Sequence, residues 1–311
     1  MLKKNVILKS WKRYSWSDKI FMGIVYGSLI LITLMCLYPL YFTVMASFSD
    51  AYAVYRGEVN LLPKGFTTVA YELVYQNKDI WVGYKNTIIY TFLGTIFNLF
   101  LTIPAAYGLS KKQMLGRNFL MTIFLITMYF GGGMIPTYLL MKTLHLTDTR
   151  LLMIISGGLS VYNTIVTRTY FQNNIPDSLF EAARIDGAGE LRVFLKIVIP
   201  LSAPIIAVMT LYYAVGHWNS YFTALIYLKK SDLHPLQLVL RRILILSQAA
   251  YETAMQSDAS AEELANAAKK AYQALTMKYA MVFIGSAPML ILYPFVQKYF
   301  VKGVMLGSVK S

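Results

Sequence analysis

The sequence predicts an all-α, polytopic membrane protein with six transmembrane helices, and three observations predict it. Hydrophobic residues make up 57% of the 311-residue chain and charged residues only 14%, with a mean hydropathy of +0.50. That balance leaves too few polar groups to cover a water-facing surface. The charges are also unevenly spread, so that long uncharged stretches alternate with short charged ones. Six stretches reach or approach the roughly 20 residues that a helix rising about 1.5 Å per residue needs to cross a hydrocarbon core about 30 Å thick. A soluble fold of this size has no use for so many uncharged runs longer than its average helix of about 12 residues.

In chain order, 30 uncharged residues lie between Lys19 and Asp50, 25 between Lys85 and Lys111, and 24 between Arg117 and Lys142. A further 17 separate Arg150 from Arg168, 32 separate Lys196 from Lys229, and 19 separate Lys278 from Lys298, the fourth and sixth being the short ones. The first run follows Lys3, Lys4, Lys9, Lys12, Arg13 and Lys19, but it far exceeds the 7 to 15 residues of a signal h-region and lacks a clean small-x-small cleavage site. It is expected to stay as a helix. Six spans put both termini on one side. Placing the N-terminus inside gives the cytoplasmic segments sixteen basic residues against five acidic ones, and the outer segments thirteen against ten. The positive-inside rule therefore favours N-in, C-in, and the formal charge of +14 reads as topology rather than as a nucleic-acid-binding face. The expected organisation is a basic cytoplasmic segment over 1–19, a membrane domain over 20–307 with a cytoplasmic loop at 171–198 and an extracytoplasmic loop at 231–278, and a cytoplasmic tail at 308–311.

Recognisable chemistry is scarce. The lone Cys36 excludes a disulfide framework. His145, His217 and His234 lack the short spacings of metal ligands on one helix, so no metal site is expected. No P-loop, GxSxG elbow or HExxH pair is present. A proton- or ion-coupled secondary transporter, the alternative from another class, needs ionisable groups inside its spans, and His217 is the one candidate. A membrane enzyme would gather carboxylates or histidines at one membrane face, and none converge.

The informative segment is Asn173 to Pro200, NNIPDSLFEAARIDGAGELRVFLKIVIP. Pro176 suits a first helical turn, Asp177 and Glu181 bring negative charge toward a helix N-terminus, and Gly187 and Gly189 supply a break, so a helix is expected over about Asp177 to Asp186. A second amphipathic run, with Leu191, Phe194, Leu195 and Val198 on one face, is expected to lie along the inner membrane surface before Pro200 opens the fifth span. Glu181-Ala182-Ala183, Gly187 and Ile199-Pro200-Leu201 resemble the EAA loop of binding-protein-dependent ABC importer permeases, and IPDSLFEAARIDGAG is similar to their carbohydrate branch. The resemblance runs from about Ile20 to Gly307. MYFGGGMIPTYLLMKTLHLTDT resembles a MalG-like subgroup, the LplC/YtcP-like permeases.

That resemblance implies a type I importer permease (MetI-like) fold in the bacterial cytoplasmic membrane, carrying an oligosaccharide or related sugar. It implies as partners a second permease subunit, paralogous or identical, two ATPase subunits that bind the ATP and Mg, and an extracytoplasmic solute-binding protein, with no cofactor in this chain itself. The loop is the expected coupling element: Glu181 faces the ATPase, Ala182 and Ala183 permit close approach, and Asp186 and Gly187 close the helix. Two alanines beside a charge make a low-profile helix surface suited to docking.

Substrate-path candidates rest on composition. Gly131, Gly132 and Gly133 weaken a helix inside a span and read either as a kink or cavity wall or as tight helix packing. Asn86, Asn98, Asn163, Tyr212 and Asn219 are polar groups within the spans or at their ends. Tyr52, Tyr55, Tyr71, Tyr75, Trp81 and Tyr84 in the first outer segment are either interfacial anchors or sugar contacts. Ser257 to Leu275, Ala-rich and free of Pro and Gly, is expected to be an outer helix, either touching the binding protein or lying as a packing lid. Leu8 to Ser17, with Trp11, Tyr14 and Trp16 among basic residues, reads as a surface anchor against anionic lipid.

Overall fold

The first uncharged run begins where a serine can cap it. In the computed structural model, which describes residues 15–256 and 260–307, Ser15 and Asp18 form a capping box, each side chain accepting from the other's backbone N–H at 3.2 and 3.3 Å. This starts helix α1 over Trp16–Ser47. The basic N-terminus with its proposed anchor up to Tyr14, residues 257–259 and the tail at 308–311 lie outside the described residues. Helices follow as α2 (Ala51–Tyr55), α3 (Val69–Gln76), α4 (Lys78–Ser110), α5 (Arg117–Tyr129), α6 (Met134–Thr143), α7 (Arg150–Ile155), α8 (Val161–Asn174) and α9 (Asp177–Ile185). The order continues with α10 (Glu190–Val193), a π-turn (Phe194–Val198), α11 (Ile199–Leu201), α12 (Ala203–Trp218), α13 (Tyr221–Tyr227), α14 (Leu236–Gln256) and α15 (Ala261–Gly307). The described residues contain no strand, and the fold is all-α.

The chain divides into two compact units. Among the described residues, one combines 15–73 with those of 250–283, the other 74–249 with those from 284 onward. In the first unit, α1 is apolar and exposed along most of its length, as a lipid-facing helix is, until Ala46, Val54 and Val59 form a small core with Phe42, Leu275 and Tyr279 around it. Asp50 caps α2 by accepting from the N–H groups of Tyr52 and Ala53. Tyr52 and Tyr55 pack on Tyr272 with ring centroids 5.1 and 4.2 Å apart, and Tyr71 stacks on Phe48 while its hydroxyl meets Ser47. These outer aromatics therefore pack on one another.

In the second unit, α4 is the central helix, packed against α7, α8 and α12. It is held through polar groups as well as through apolar ones. Asn86 donates to the carbonyls of Asp232 and His234, Thr87 accepts from the Leu236 N–H at 2.8 Å, and Thr102 shares a 2.6 Å hydrogen bond with Tyr213. Buried polar residues on a membrane helix find partners on neighbouring elements because lipid offers none. Asn86 is thus a packing residue. Tyr75, Trp81 and Tyr84 continue as a chain of ring contacts that ends edge-to-face on Trp218.

The uncharged windows are not all single helices. The first and second correspond to α1 and α4, the two described helices long and apolar enough to cross a membrane alone. The third divides at Phe130–Gly133 into α5 and α6, bent by 112°, and the α10–α11 segment meets α12 at 79°. Gly133, at φ +85°, takes a backbone conformation open to glycine. A Cβ on Gly131 or Gly132 would meet nothing within 4 Å, so the triplet breaks the span and is not a tight packing site within this chain. The fourth window divides at Ser156–Ser160, where Gly157 has φ +70° and Ser160 caps α8. Pro200 does not open the fifth span: the break falls at the buried Ser202, and Pro204 stands in the first turn of α12. The outer helix expected to start near Ser257 starts instead at Ala261, capped by Ser260 and Glu263, and runs without interruption to Gly307. Lys269, Lys270 and Lys278 interrupt hydrophobicity but not helix propensity. The outer loop also contains α14, which the sequence analysis did not assign.

Candidate docking loop and membrane cavity

Two sites emerge in the second unit, a loop at one end of α4 and a cavity beside its middle. The loop begins with α9. Pro176 precedes its first residue and Asp177 stands in its first turn. At its end Asp186 is the cap, Gly187 adopts φ +71°, and Ala188 and Gly187 donate to the carbonyls of Ala183 and Arg184 at 2.8 and 3.0 Å. This is a Schellman closure, and it depends on the left-handed residue being glycine. Gly189, at φ −69°, carries no such requirement.

The faces of α9 are sharply divided. Ala183 is 6% exposed and joins a core of Ile103, Phe171, Ile175, Val193 and Val198. Its small size therefore serves the seating of α9 on its own protein, not close approach by a partner. Glu181, Ala182, Asp186 and Gly187 are exposed, as is Ile185 at 87%. Ile185, which the motif did not single out, gives this face an apolar centre. Of the second amphipathic run, Val193 and Val198 are buried and Phe194 and Ile197 pack beside them, while Leu191 and Leu195 point outward. The π-turn over Phe194–Val198 shifts the register that a regular helix would give.

A cavity of about 220 Å³ lies under α9, lined by Lys111, Gln113, Phe171, Asp177, Phe180 and Glu181 among others. Beside it, Glu190 accepts from the Tyr107 hydroxyl at 2.8 Å and pairs with Lys111 at 3.6 Å and Arg184 at 3.5 Å. The Tyr107 hydroxyl, with Lys111 and Arg184, holds the Glu190 carboxyl below its usual range. Burial pushes the Lys111 ammonium down, with Glu190 acting in the opposite direction. Sequence reading missed this cluster because its members come from distant segments. The one available signal was an acidic residue opening α10.

The second cavity, of about 350 Å³, is lined by Asn98, Tyr212, His217, Asn219, Phe222 and Thr223 among others. It brings together three of the sequence candidates, Asn98 and the exposed Tyr212 and Asn219. Gly131, Gly132 and Gly133 do not line it, nor does Asn163, which is buried in the first turn of α8. Asn98 is itself nearly inaccessible. Its amide NH2 donates to the carbonyls of Gly157 and Gly158 at 3.0 and 2.8 Å, satisfying the break between α7 and α8. Its carbonyl oxygen meets His217 Nε2 at 2.6 Å. Because both amide protons are engaged, that oxygen can only accept, so Nε2 of His217 carries a proton. Gly94 makes room for the ring: a Cβ there would lie 2.4 Å from it.

Comparison with known proteins gives a consistent picture. The profile described as "Binding-protein-dependent transport system inner membrane component" matches residues 80–305. The polygalacturonan/rhamnogalacturonan transport system permease protein YtcP of Bacillus subtilis is 39% identical over 294 residues, covering 94% of this chain and 99% of the relative. Protein LplC of the same organism is 38% identical over 275 residues, covering 88% and 89%. Among solved structures, a chain in the crystal structure of a bacterial ABC transporter involved in import of the acidic polysaccharide alginate is similar with a TM-score of 0.79 at 37% identity, covering 92% of this chain and 99% of that one.

Proposed function

Because the chain belongs to the binding-protein-dependent transport system inner membrane components, we propose that it imports an oligosaccharide or related sugar, using α9 as the helix that docks a separate ATPase. Membership makes it a multi-pass membrane permease subunit of an ATP-driven importer, without an ATPase site of its own, that works with an ATPase and a solute-binding protein. The sugar is inferred from relatives named for pectic and alginate saccharides. The cavity supports it, since the aromatic rings of Tyr212 and Phe222 and the polar groups of Asn219 and Thr223 are the kinds of group that receive a sugar ring and its hydroxyls. The ATP and Mg belong to the ATPase, two copies of which would serve a pair of permease subunits. The positive-inside distribution supports N-in, C-in, with the loop over 171–198 and both chain ends in the cytoplasm, the loop over 231–278 outside, and a membrane domain over 20–307.

The observation that carries the docking role is the geometry of α9. One face, with Ala183 and Phe180, is seated on the core, while Glu181, Ala182 and Ile185 stand out beside a rigid Gly187 closure. An exposed apolar residue with a neighbouring charge at the centre of a small patch is the composition of an interface anchor. Co-purification of the complex expressed from its operon tests this. Ile185→Asp combined with Glu181→Lys should remove the ATPase subunit while the permease remains folded. Full retention of the ATPase by this double variant would refute the docking role.

A further inference from the structure

We propose that Lys111 is a positioning residue that ties the docking helix to the cytoplasmic end of α4, so that the two move as one body when ATP drives the importer. The inference rests on the docking role of α9 proposed above and goes beyond it, because neither the EAA motif nor the 350 Å³ membrane cavity contains Lys111.

Lys111 is the residue that caps α4, and its side chain leaves the helix end to lie between α9, α10 and the last turns of α4 itself. Its Nζ stands 3.5 Å from the ring centroid of Phe180, on α9, and 4.7 Å from that of Tyr107, on the last turns of α4. The same ammonium pairs with Glu190, the first residue of α10. Glu190 in turn holds Tyr107 and Arg184, and Arg184 donates to Gln113 at 3.2 Å in the turn that follows α4. The lysine side chain is only 21% exposed. An ammonium between two aromatic faces and a carboxylate is attracted by all three, and partial desolvation strengthens each attraction. A side chain on the open surface would gain little from such a pair. The arrangement therefore places a cation where it bridges docking helix, α4 and α10 at once.

What α4 carries from that point is specific. Thr102 and Asn98, farther along the same helix, hydrogen-bond to Tyr213 and His217 on α12, both at 2.6 Å. Asn98 also holds the two carbonyls at the break between α7 and α8. A displacement of α9 passed through Lys111 to α4 thus reaches the wall of the 350 Å³ cavity through hydrogen bonds that already exist. Without Lys111, α9 remains seated through Ala183 and Phe180 on a core that also includes α4, α8 and α12 residues and keeps the Arg184–Gln113 hydrogen bond, but the cation that joins Phe180, the end of α4 and Glu190 is lost.

The test measures distance between spin labels in the complete complex reconstituted in nanodiscs, with Cys36→Ser as background and cysteines at Ser178 and Phe92. Both positions are exposed, and Phe92 lies about 28 Å along α4 from Lys111. The complex is examined without nucleotide and after trapping with Mg-ATP and orthovanadate. The expected result is one narrow distance, the same in both states, for the parent protein and for Lys111→Arg, which keeps the cation. Lys111→Ala should broaden the distribution and shift its mean between the two states. An unchanged narrow distribution in Lys111→Ala, or a shift between states in the parent protein, overturns the inference. Loss of the ATPase subunit from both Lys111→Ala and Lys111→Arg would put Lys111 in the docking surface itself and overturns it as well. Failure of the docking role reads out separately, as ATPase retained by the Glu181→Lys, Ile185→Asp variant.

Discussion

Gly187 offers the sharpest test of the coupling helix, because its effect can be worked out from the backbone alone. At φ +71° it occupies the left-handed region, and a Cβ built there meets nothing within 4 Å. A substitution at this position therefore adds no clash, and its whole cost is conformational, about 1–2 kcal/mol for an ordinary L-residue. The closure it threatens consists of two hydrogen bonds, from Gly187 to Arg184 and from Ala188 to Ala183, each contributing about 0.5–1.5 kcal/mol net. The penalty and the closure are of similar size. Gly187→Ala should leave the last turn of α9 partly unwound, and the fraction of permease ready to dock should fall several-fold, with the apparent dissociation constant for the ATPase rising in proportion. Gly187→Val should be worse and Gly187→Asn milder, because asparagine tolerates the left-handed region better than alanine and a β-branched residue tolerates it least. Titration of purified ATPase subunit onto permease in nanodiscs measures this order. Equal affinity for the glycine and alanine proteins, or an alanine protein tighter than the asparagine one, would refute the reasoning.

Two further outcomes follow from other parts of the second unit. Gly94→Ala drives a methyl group to 2.4 Å from the His217 ring, which Asn98 holds in place. It should cost about 1–3 kcal/mol and lower the thermal midpoint in detergent by several degrees. Gly216→Ala, with nothing within 4 Å, should not, and equal midpoints would mean that the ring has room to move. Asp148 accepts from the backbone N–H groups of Lys230 and Lys229 at 2.9 and 3.0 Å and pairs with the Lys230 side chain at 3.8 Å. The hydrogen bond from Lys230 first among these holds its carboxyl below the usual 3.8. The sign is that of a depressed acid: the stabilisation is complete above the unfolded value and is lost as pH falls from about 3.8 through the lower folded value. Acid titration of the thermal midpoint should show this loss in the parent protein and less of it in Asp148→Asn, and identical profiles would remove Asp148 from the account.

How much of this was legible in the sequence depends on which force fixed each feature. Charges mark where lipid ends, so the windows bounded by Lys19 and Asp50 and by Lys85 and Lys111 became α1 and α4, with the helices extending past their N-terminal charges. Charges say nothing about interruptions within a span. The break at Gly131–Gly133 was announced by its glycines, but the one at Ser202 was hidden between two prolines, of which the wrong one was taken as the helix start. The motif around Glu181 marked α9 and its glycine closure. It could not tell Ala182 from Ala183, although Phe180 and Ala183, three apart, face the core while Glu181 and Ile185, four apart, face out. Asn98 was chosen as a polar group for the transport path; it lines the 350 Å³ cavity and also holds the backbone carbonyls of Gly157 and Gly158 together. The cluster at Lys111 depends on long-range contact, which no local pattern encodes.

The break between α5 and α6 bears on how the chain assembles. Non-helical backbone at membrane depth is tolerated only where protein covers it or water reaches it, since each unsatisfied group in hydrocarbon costs several kcal/mol. The chain meets this demand internally at the α7–α8 break, where Asn98 takes both glycine carbonyls. At the α5–α6 break it meets it only in part. The Gly133 carbonyl accepts from the Thr137 hydroxyl at 2.7 Å, but the flanking Tyr129 and Phe130 are 75% and 77% exposed, and Gly131 and Gly132 have open space around them. Arg117 lies 13 residues before the break, and about 20 Å of helix carries the chain well inside a 30 Å core before the backbone opens. Such a segment facing lipid alone would be unstable. It is the kind of surface that a second permease subunit, or the water-filled path between two of them, would complete, and this gives the proposed pair a physical basis independent of the motif.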